Sequence, residues 1–275
     1  GRPPNIVILE NVCGTLNSHQ GKDFTAICSA LAYAGYGFGA VVVDAALFVP
    51  QSRPRLFIIA LKEGLEYPSH LSSDGPDTLW HTKRLRSAYE QLTVSAKENW
   101  IWWSLPKPST RNTSFADLIE DNPFSVPWHA ENETAHLLSM MSDVNLAKVE
   151  KAKNTGNRMV GAIYKRTRLD PNGFKIQRAE IRFDNVAGCL RTPAGGSSRQ
   201  LIMVVHKGSV RSRLISSRET ARLMGLPDEY KLPDNYNEAY HLTGDGVAVP
   251  VVRHLAANLF EPILRHDAMV DCKAA

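Results

Sequence analysis

Cysteine is scarce and scattered in this chain. Four occur in 275 residues (Cys13, Cys28, Cys189, Cys272), with no paired metal-ligand spacing. That pattern argues against a disulfide framework and a zinc site, and points to a reducing, cytoplasmic setting. No apolar run reaches the ~18 residues of a membrane span, and no signal-peptide pattern opens the chain, so no membrane partner is expected. Internal repeats and long low-complexity tracts are also lacking. What is there, 43% hydrophobic and 22% charged residues, is the composition of a globular protein with one large or two small domains.

Net charge is only +4, but it is unevenly placed. Residues 151–222 carry 16 Lys/Arg against 4 Asp/Glu, a local +12, which leaves −8 for the rest. A basic segment inside an acidic remainder suggests a surface that faces a polyanion, with nucleic acid the first candidate. Charge alone leaves a solvated basic face equally open.

The chain opens with "NIVILE" (5–10), a nearly continuous apolar run of the kind found in a strand buried on both faces of a parallel sheet. "GKDFTAICSALAYAGYG" follows, with Phe24, Ile27 and Leu31 at helical spacing and Gly35 placed to end the helix. "GAVVVDAAL" and "PRLFIIAL" read as two more strands, so residues 1–62 form a piece of an α/β sheet. Residues 63–150 are turn-rich and proline-broken and read as a connecting region, with a helix within "TAHLLSMMSDVNLAKVEKAK". Residues 155–212, basic and glycine-bearing with runs such as "LIMVV", predict a small, loop-rich β domain. "SSRETARLMGLPDEY" predicts a helix with Ser216 and Glu219 as a capping box, Gly225 as its C-terminal cap and Pro227 as a stop. "VPVVRHLAANLFEPIL" predicts a last helix, with Pro250 in its first turn and Leu255 and Leu259 on one face.

Two short motifs carry chemistry. "ENV" (10–12) puts a carboxylate at the end of an apolar strand, where α/β sheets bind ligands. "QSRPR" (51–55) sets two arginines two apart on an extended segment, so both guanidiniums can point one way and grip a phosphate or a base edge. An exposed loop with solvated arginines is the alternative.

Taken together, "RPPNIVILENVCG", "DAALFVPQSRPRLFIIAL", "SSRETARLMGLPDEY" and "GDGVAVPVVRHLAANL" resemble, in order and spacing, the later motif blocks of the cytosine-5 DNA methyltransferases. The resemblance covers residues 1–62 and roughly 155–265. It implies a partial Rossmann-like methyltransferase sheet in an α/β fold, plus a small, loop-rich β target-recognition domain. Residues 1–62 would be the C-terminal part of the catalytic core and 63–150 the connection. Residues 151–243 would hold the recognition domain and its supporting helix, and 244–275 a helix returning to the core.

In that family a cytosine is flipped out of double-stranded DNA, a cysteine thiolate attacks ring carbon 6, and carbon 5 takes a methyl group from S-adenosylmethionine. The resemblance implies that Glu10 protonates or hydrogen-bonds ring nitrogen 3, a role that a closed, apolar pocket favours because a carboxyl there holds its proton. Asn11 would hold the pocket geometry. Of Arg53 and Arg55, one would reach the base carbonyl and one would brace the pocket. Gly244, Asp245 and Val247 fall on the block that touches the methionine end of the cofactor, although the family has asparagine where Asp245 stands. "GCLRTPAGGSSRQ" (188–200) lies where the recognition segment belongs, making Arg191, Thr192, Gly195, Gly196 and Arg199 the candidate DNA contacts. Glu219 is read as a helix cap.

The family's glycine-rich cofactor loop and its Pro-Cys nucleophile are not recognised in the sequence. Cys13 starts the loop after "ENV", and Cys28 lies inside a helix, packed rather than reactive. The apolar "NIVILE" also calls for neighbouring strands. The expectation is therefore a C-terminal portion of such an enzyme, inactive in isolation and lacking the main S-adenosylmethionine motif. Its missing strands would come from an upstream segment or from an N-terminal methyltransferase subunit. A restriction–modification role follows by family analogy. The alternative is a non-catalytic, sequence-specific DNA-binding module or an inactive homologue.

Overall fold

The computed structural model describes residues 3–170, 172–192 and 199–274, with side chains to residue 269. The chain forms two compact units. The first comprises Gly1–Ala45, Pro54–Ser109 and Val251–Ala275; the second comprises Ala46–Arg53 and Thr110–Pro250.

The first unit is built on strands β1 (Ile6–Val12), β2 (Tyr36–Asp44) and β3 (Pro54–Lys62), with helix α1 (Lys22–Tyr33) between β1 and β2. The strand order is β1-β3-β2, and β3 runs antiparallel to both neighbours. This corrects the expectation of a parallel sheet. Residues 45–53, which join β2 to β3, are too few for the crossover of a dozen or more residues that parallel strands need. β3 therefore turns back and pairs between the two strands that α1 connects. It is β3 that is buried on both faces, from Leu56 to Leu61. β1 lies at the sheet edge with Ile8, Leu9 and Val12 exposed, contrary to the burial its apolar run suggested.

On one sheet face, Phe38, Ala40, Val42, Leu56, Ile58 and Ala60 pack with Phe24 and Cys28 of α1. Gly35, at φ +74, ends α1 as its spacing predicted. The short strands β4 (Ser72–Ser73) and β5 (Trp102–Trp103) pair with each other, and α2 (Lys83–Glu90) and α3 (Val94–Glu98) lie between them in sequence. Leu85, Ala88 and Ala96 extend the core. A Cβ at Gly39 would overlap the Ile101 carbonyl oxygen, so β2 requires glycine where residues 99–101 run beside it.

The second unit contains α4 (Glu131–Ser139), α5 (Asp143–Asn154) and four strands: β6 (Met159–Leu169), β7 (Lys175–Arg182), β8 (Leu201–His206) and β9 (Ser209–Leu214). The sheet is antiparallel, in the order β7-β6-β8-β9. Leu137, Met141, Val149 and Ala152 of the helical segment pack on Ile163, Ala179, Ile181, Leu201, Met203 and Val205. The second half of the stretch read as connection thus supplies one wall of this core. The unit is also more regular than the loop-rich domain expected. Helices α6 (Ser217–Leu223) and α7 (Tyr236–Asp245) follow.

The chain then runs through α8 (Val249–Leu255), a π-helical turn (Ala256–Phe260) and α9 (Glu261–Ala274). Among the described residues, the stretch Tyr236–Met269 is long and apolar enough, by length and composition alone, to cross a membrane. Its Ala239, Tyr240, Val251, Leu255, Leu259 and Ile263 are buried in the protein, which accounts for part of that apolar character.

Candidate active-site pair and nucleic-acid interface

In the first unit, strand register decides where the "ENV" side chains go. Val12 pairs with Arg55 and Glu10 with Phe57, so Glu10 and Arg55 share one sheet face. Arg55 Nε lies 3.0 Å from Glu10 Oε1, with side chains 15% and 31% exposed, respectively. The closed, apolar pocket expected around Glu10 is therefore not what surrounds it: its neighbour is a guanidinium, and one side is open. Asn11 falls on the opposite face, where its Oδ1 accepts a 2.8 Å hydrogen bond from Val12 N and shapes the strand's exit. Burial pushes Cys28 up to about 12 and, as the largest of several influences, raises Cys13.

In the second unit, Arg53 is 3% exposed. Its Nη1 donates to the Leu190 carbonyl at 3.0 Å and to Cys189 Sγ at 3.3 Å. Its Nη2 donates to the carbonyls of Gly244 and Gly246, each at 2.7 Å. Nearby, Gln51 Nε2 donates to the Leu223 carbonyl at 2.8 Å, and its Oε1 accepts from Leu190 N at 3.1 Å. The "QSRPR" segment is thus not one surface grip with two parallel arginines. Arg53 is a buried fork between two backbone segments, while Arg55 holds a carboxylate.

That fork also fixes the block expected to touch cofactor. Gly244 is buried, its carbonyl is taken by Arg53, and a Cβ there would press on Thr192. Asp245 Oδ1 accepts a hydrogen bond from Thr192 Oγ1, and Val247 is half-buried. These residues are thus engaged with their own unit. Sequence placed Thr192 and Asp245 in separate roles; the structure makes them partners.

Arg191 and Arg199 both line a cavity of 600 Å³ in the second unit, together with Lys148, Lys165, Arg166 and Arg182. Glu180 is the only acid among its described lining residues. Arg199 also donates to Asn237 Oδ1 and lies over the Tyr236 ring at 5.8 Å. Gly195 and Gly196, named above as DNA contacts, lie outside the described residues.

One site went unseen in the sequence. Ser216 and Glu219 do form the predicted capping box, with Ser216 Oγ accepting from Glu219 N at 3.1 Å and Glu219 Oε2 accepting from Ser216 N at 2.7 Å. Glu219 is also fully buried and receives a bidentate fork from Arg213, at 2.6 and 2.8 Å, plus Glu120 N at 2.7 Å. No local pattern announces this, because Arg213 belongs to β9 and Glu120 to a loop about a hundred residues upstream.

The chain thus carries a carboxylate–guanidinium pair on an α/β unit and a basic cavity in a β unit. The model of the C-5 cytosine-specific DNA methylase family matches residues 2–261, and the chain belongs to that family. It is similar to the Type II methyltransferase M.HhaI of Haemophilus parahaemolyticus, at 21% identity over 94% of this chain and 64% of that protein. It is similar also to M.BsuFI of Bacillus subtilis, at 24% identity over 98% of this chain and 51% of that protein. The chain spans between half and two thirds of the length of these relatives. Among solved structures, a Spodoptera frugiperda DNMT2 variant matches with a TM-score of 0.51 at 16% identity, over 94% of this chain and 66% of that one. A putative DNA modification methyltransferase from an E. coli prophage matches with a TM-score of 0.50 at 14% identity, over 94% and 70%. The fold is an α/β, methyltransferase-like one over almost the whole chain.

These matches correct two expectations. The resemblance is not confined to residues 1–62 and 155–265, since the family match runs through 63–150 as well. The same match, over nearly the whole of this chain, corrects its reading as only a C-terminal, recognition-bearing portion and the statement that the main cofactor motif is absent.

Proposed function

We propose that this chain serves a DNA cytosine-5 methyltransferase, which moves a methyl group from S-adenosylmethionine to a cytosine flipped out of double-stranded DNA. The observation that carries the reading is the Glu10–Arg55 pair at the end of β1, in a chain of this family. In this reading Glu10 meets the flipped base at ring nitrogen 3. Arg55 fixes the carboxylate's orientation and balances its charge, and a partly open setting lets the base enter beside the pair. Asn11 keeps the strand exit in shape through its bond to Val12 N. Arg53 braces rather than touches the base. The second unit carries target recognition, with Arg191 and Arg199 on the DNA side and Thr192 anchoring their segment to Asp245. No step is assigned to Gly244, Asp245 or Val247 on the cofactor.

Bisulfite sequencing of DNA from cells that express the protein bearing this chain tests the reading. New 5-methylcytosine at a defined sequence is expected. Its level should fall by about 10²–10⁴-fold in Glu10→Gln, the usual contribution of general acid catalysis. Sequence-specific DNA binding without new 5-methylcytosine would instead establish a non-catalytic recognition protein, the reading that the basic cavity alone supports.

A further inference from the structure

Residues 63–82 carry four Asp/Glu and no Lys/Arg, and α2 then opens with Lys83, Arg84 and Arg86. All three are exposed, whereas Leu85 and Ala88 of the same helix are buried. Among the described residues, no salt bridge reaches their side chains, and Glu90, the one acid of α2, pairs with Lys97 at 3.5 Å. The first turn of a helix favours acids, and α2 has none there, so helix stability does not account for the cluster. α2 also packs on the turn Cys13–Leu16 that follows "ENV": Leu85 and Leu16 are buried in one core cluster. Burial, the largest influence, raises the Cys13 thiol, while the guanidiniums of Arg55 and Arg84 both lower it. Arg84 and the Glu10–Arg55 pair therefore lie around one side chain.

We propose that Lys83, Arg84 and Arg86 of α2 form a sequence-independent phosphate grip, which holds the backbone of double-stranded DNA beside the Glu10–Arg55 pair. This rests on the proposed methyltransferase reading and adds to it a contact on the first unit, separate from the recognition residues of the second. The commitment to DNA follows from charge and place. Three cations within four residues, free of salt bridges and preceded by an acidic stretch, present a local positive field to a polyanion. A cytosine that leaves the duplex to meet Glu10 stays joined to its flanking phosphates, so a grip beside that pair meets backbone rather than base. Phosphate contacts position a duplex but carry no sequence information. The α2 cluster should therefore raise affinity equally for all sequences and leave the choice of sequence to the second unit.

The test is fluorescence anisotropy of the full chain with two labelled duplexes of unrelated sequence, each titrated from 50 to 200 mM salt. Far-UV circular dichroism confirms folding of the variant. Combining Lys83→Gln, Arg84→Gln and Arg86→Gln should lower the slope of log affinity against log salt by about 2 to 3 on both duplexes, since each phosphate contact contributes roughly 0.9. In the parent, either duplex should also protect Lys83 from acetylation by an N-hydroxysuccinimide ester, read by peptide mass spectrometry. Lys62, at the far end of β3 from Arg55, should stay as reactive as in the free protein. A parent that binds, with an unchanged slope in the variant or with Lys83 acetylated as fast as without DNA, would overturn the grip and leave recognition by the second unit standing. A slope that falls on one duplex alone would show sequence reading and overturn it too. A parent that fails to bind at 50 mM salt would overturn both readings. Should the variant misfold, Lys83 decides alone: full reactivity in the bound parent rejects the proposal.

Discussion

Arg53 shows how far a residue's type can be from its role. Its place in "QSRPR" suggests a solvent-facing cation. In the structure its guanidinium is buried and meets the carbonyls of Leu190, Gly244 and Gly246. A planar fork satisfies acceptors on two segments at once, which a lysine's point charge cannot do. Arg53→Lys should therefore destabilise the protein by about 2 kcal/mol, the scale of hydrogen bonds to a charged group. A lowered thermal midpoint of the full chain checks this. An unchanged midpoint with weaker DNA binding would return Arg53 to the surface role its motif suggested. Glu10 makes the complementary point. Its presence at a strand end is legible from "ENV", but its partner is not, because Arg55 lies 45 positions away and is brought alongside by the β1–β3 register.

At the scale of elements, short-range signals were reliable where the physics is short-range. The cap of α6 and the left-handed glycines at 35 and 225 depend on contacts a few residues apart, and each stands where its pattern placed it. Burial and strand direction depend on what lies alongside. The apolar run of β1 resembles a central strand, yet in the structure it is an edge. Glu219 belongs to both kinds: its cap and its ion pair with Arg213 lie within six residues, and its hydrogen bond from Glu120 N does not. Glu219→Gln keeps a group able to accept at the cap but leaves the Arg213 charge buried and uncompensated. Breaking a buried pair in this way costs about 3–5 kcal/mol. Chemical denaturation should show that loss, and a loss below 1 kcal/mol would mean that solvent reaches Arg213 in the variant.

For the molecule as a whole, one buried and two half-buried histidines should contribute to the acid limb of stability. His81 is fully buried, with Nδ1 accepting from Asp77 N at 2.8 Å, and desolvation lowers its pKa below the ordinary value. Burial lowers His129 and His254 likewise. Because each is lowered in the folded state, the unfolded chain takes up protons first as pH falls through about 6.5. Stability should thus be full above pH 7 and decline towards pH 5. Carboxylates such as Asp184, held low by hydrogen bonds from Arg182, act only below the ordinary carboxylate value. Differential scanning calorimetry across pH 5–8 should show the midpoint falling on the acid side, with a shallower fall in His81→Asn. A midpoint flat from pH 7 to 5 would mean that these imidazoles reach solvent.

Sequence by itself determined helix α1 and its glycine stop, the capped helix α6 and the last helix, the α/β character of the first 62 residues, the β character of the basic stretch and, through its ordered motif blocks, the family. Each of these rests on periodicity, on contacts a few positions apart, or on order along the chain. Only the tertiary structure decided which strand is central, that Arg53 is a buried brace, and that Thr192 bonds Asp245. It alone also showed that the cations of α2 lie beside the turn after "ENV". Those facts depend on register and on contacts between distant segments, for which a single chain read in order carries no signal.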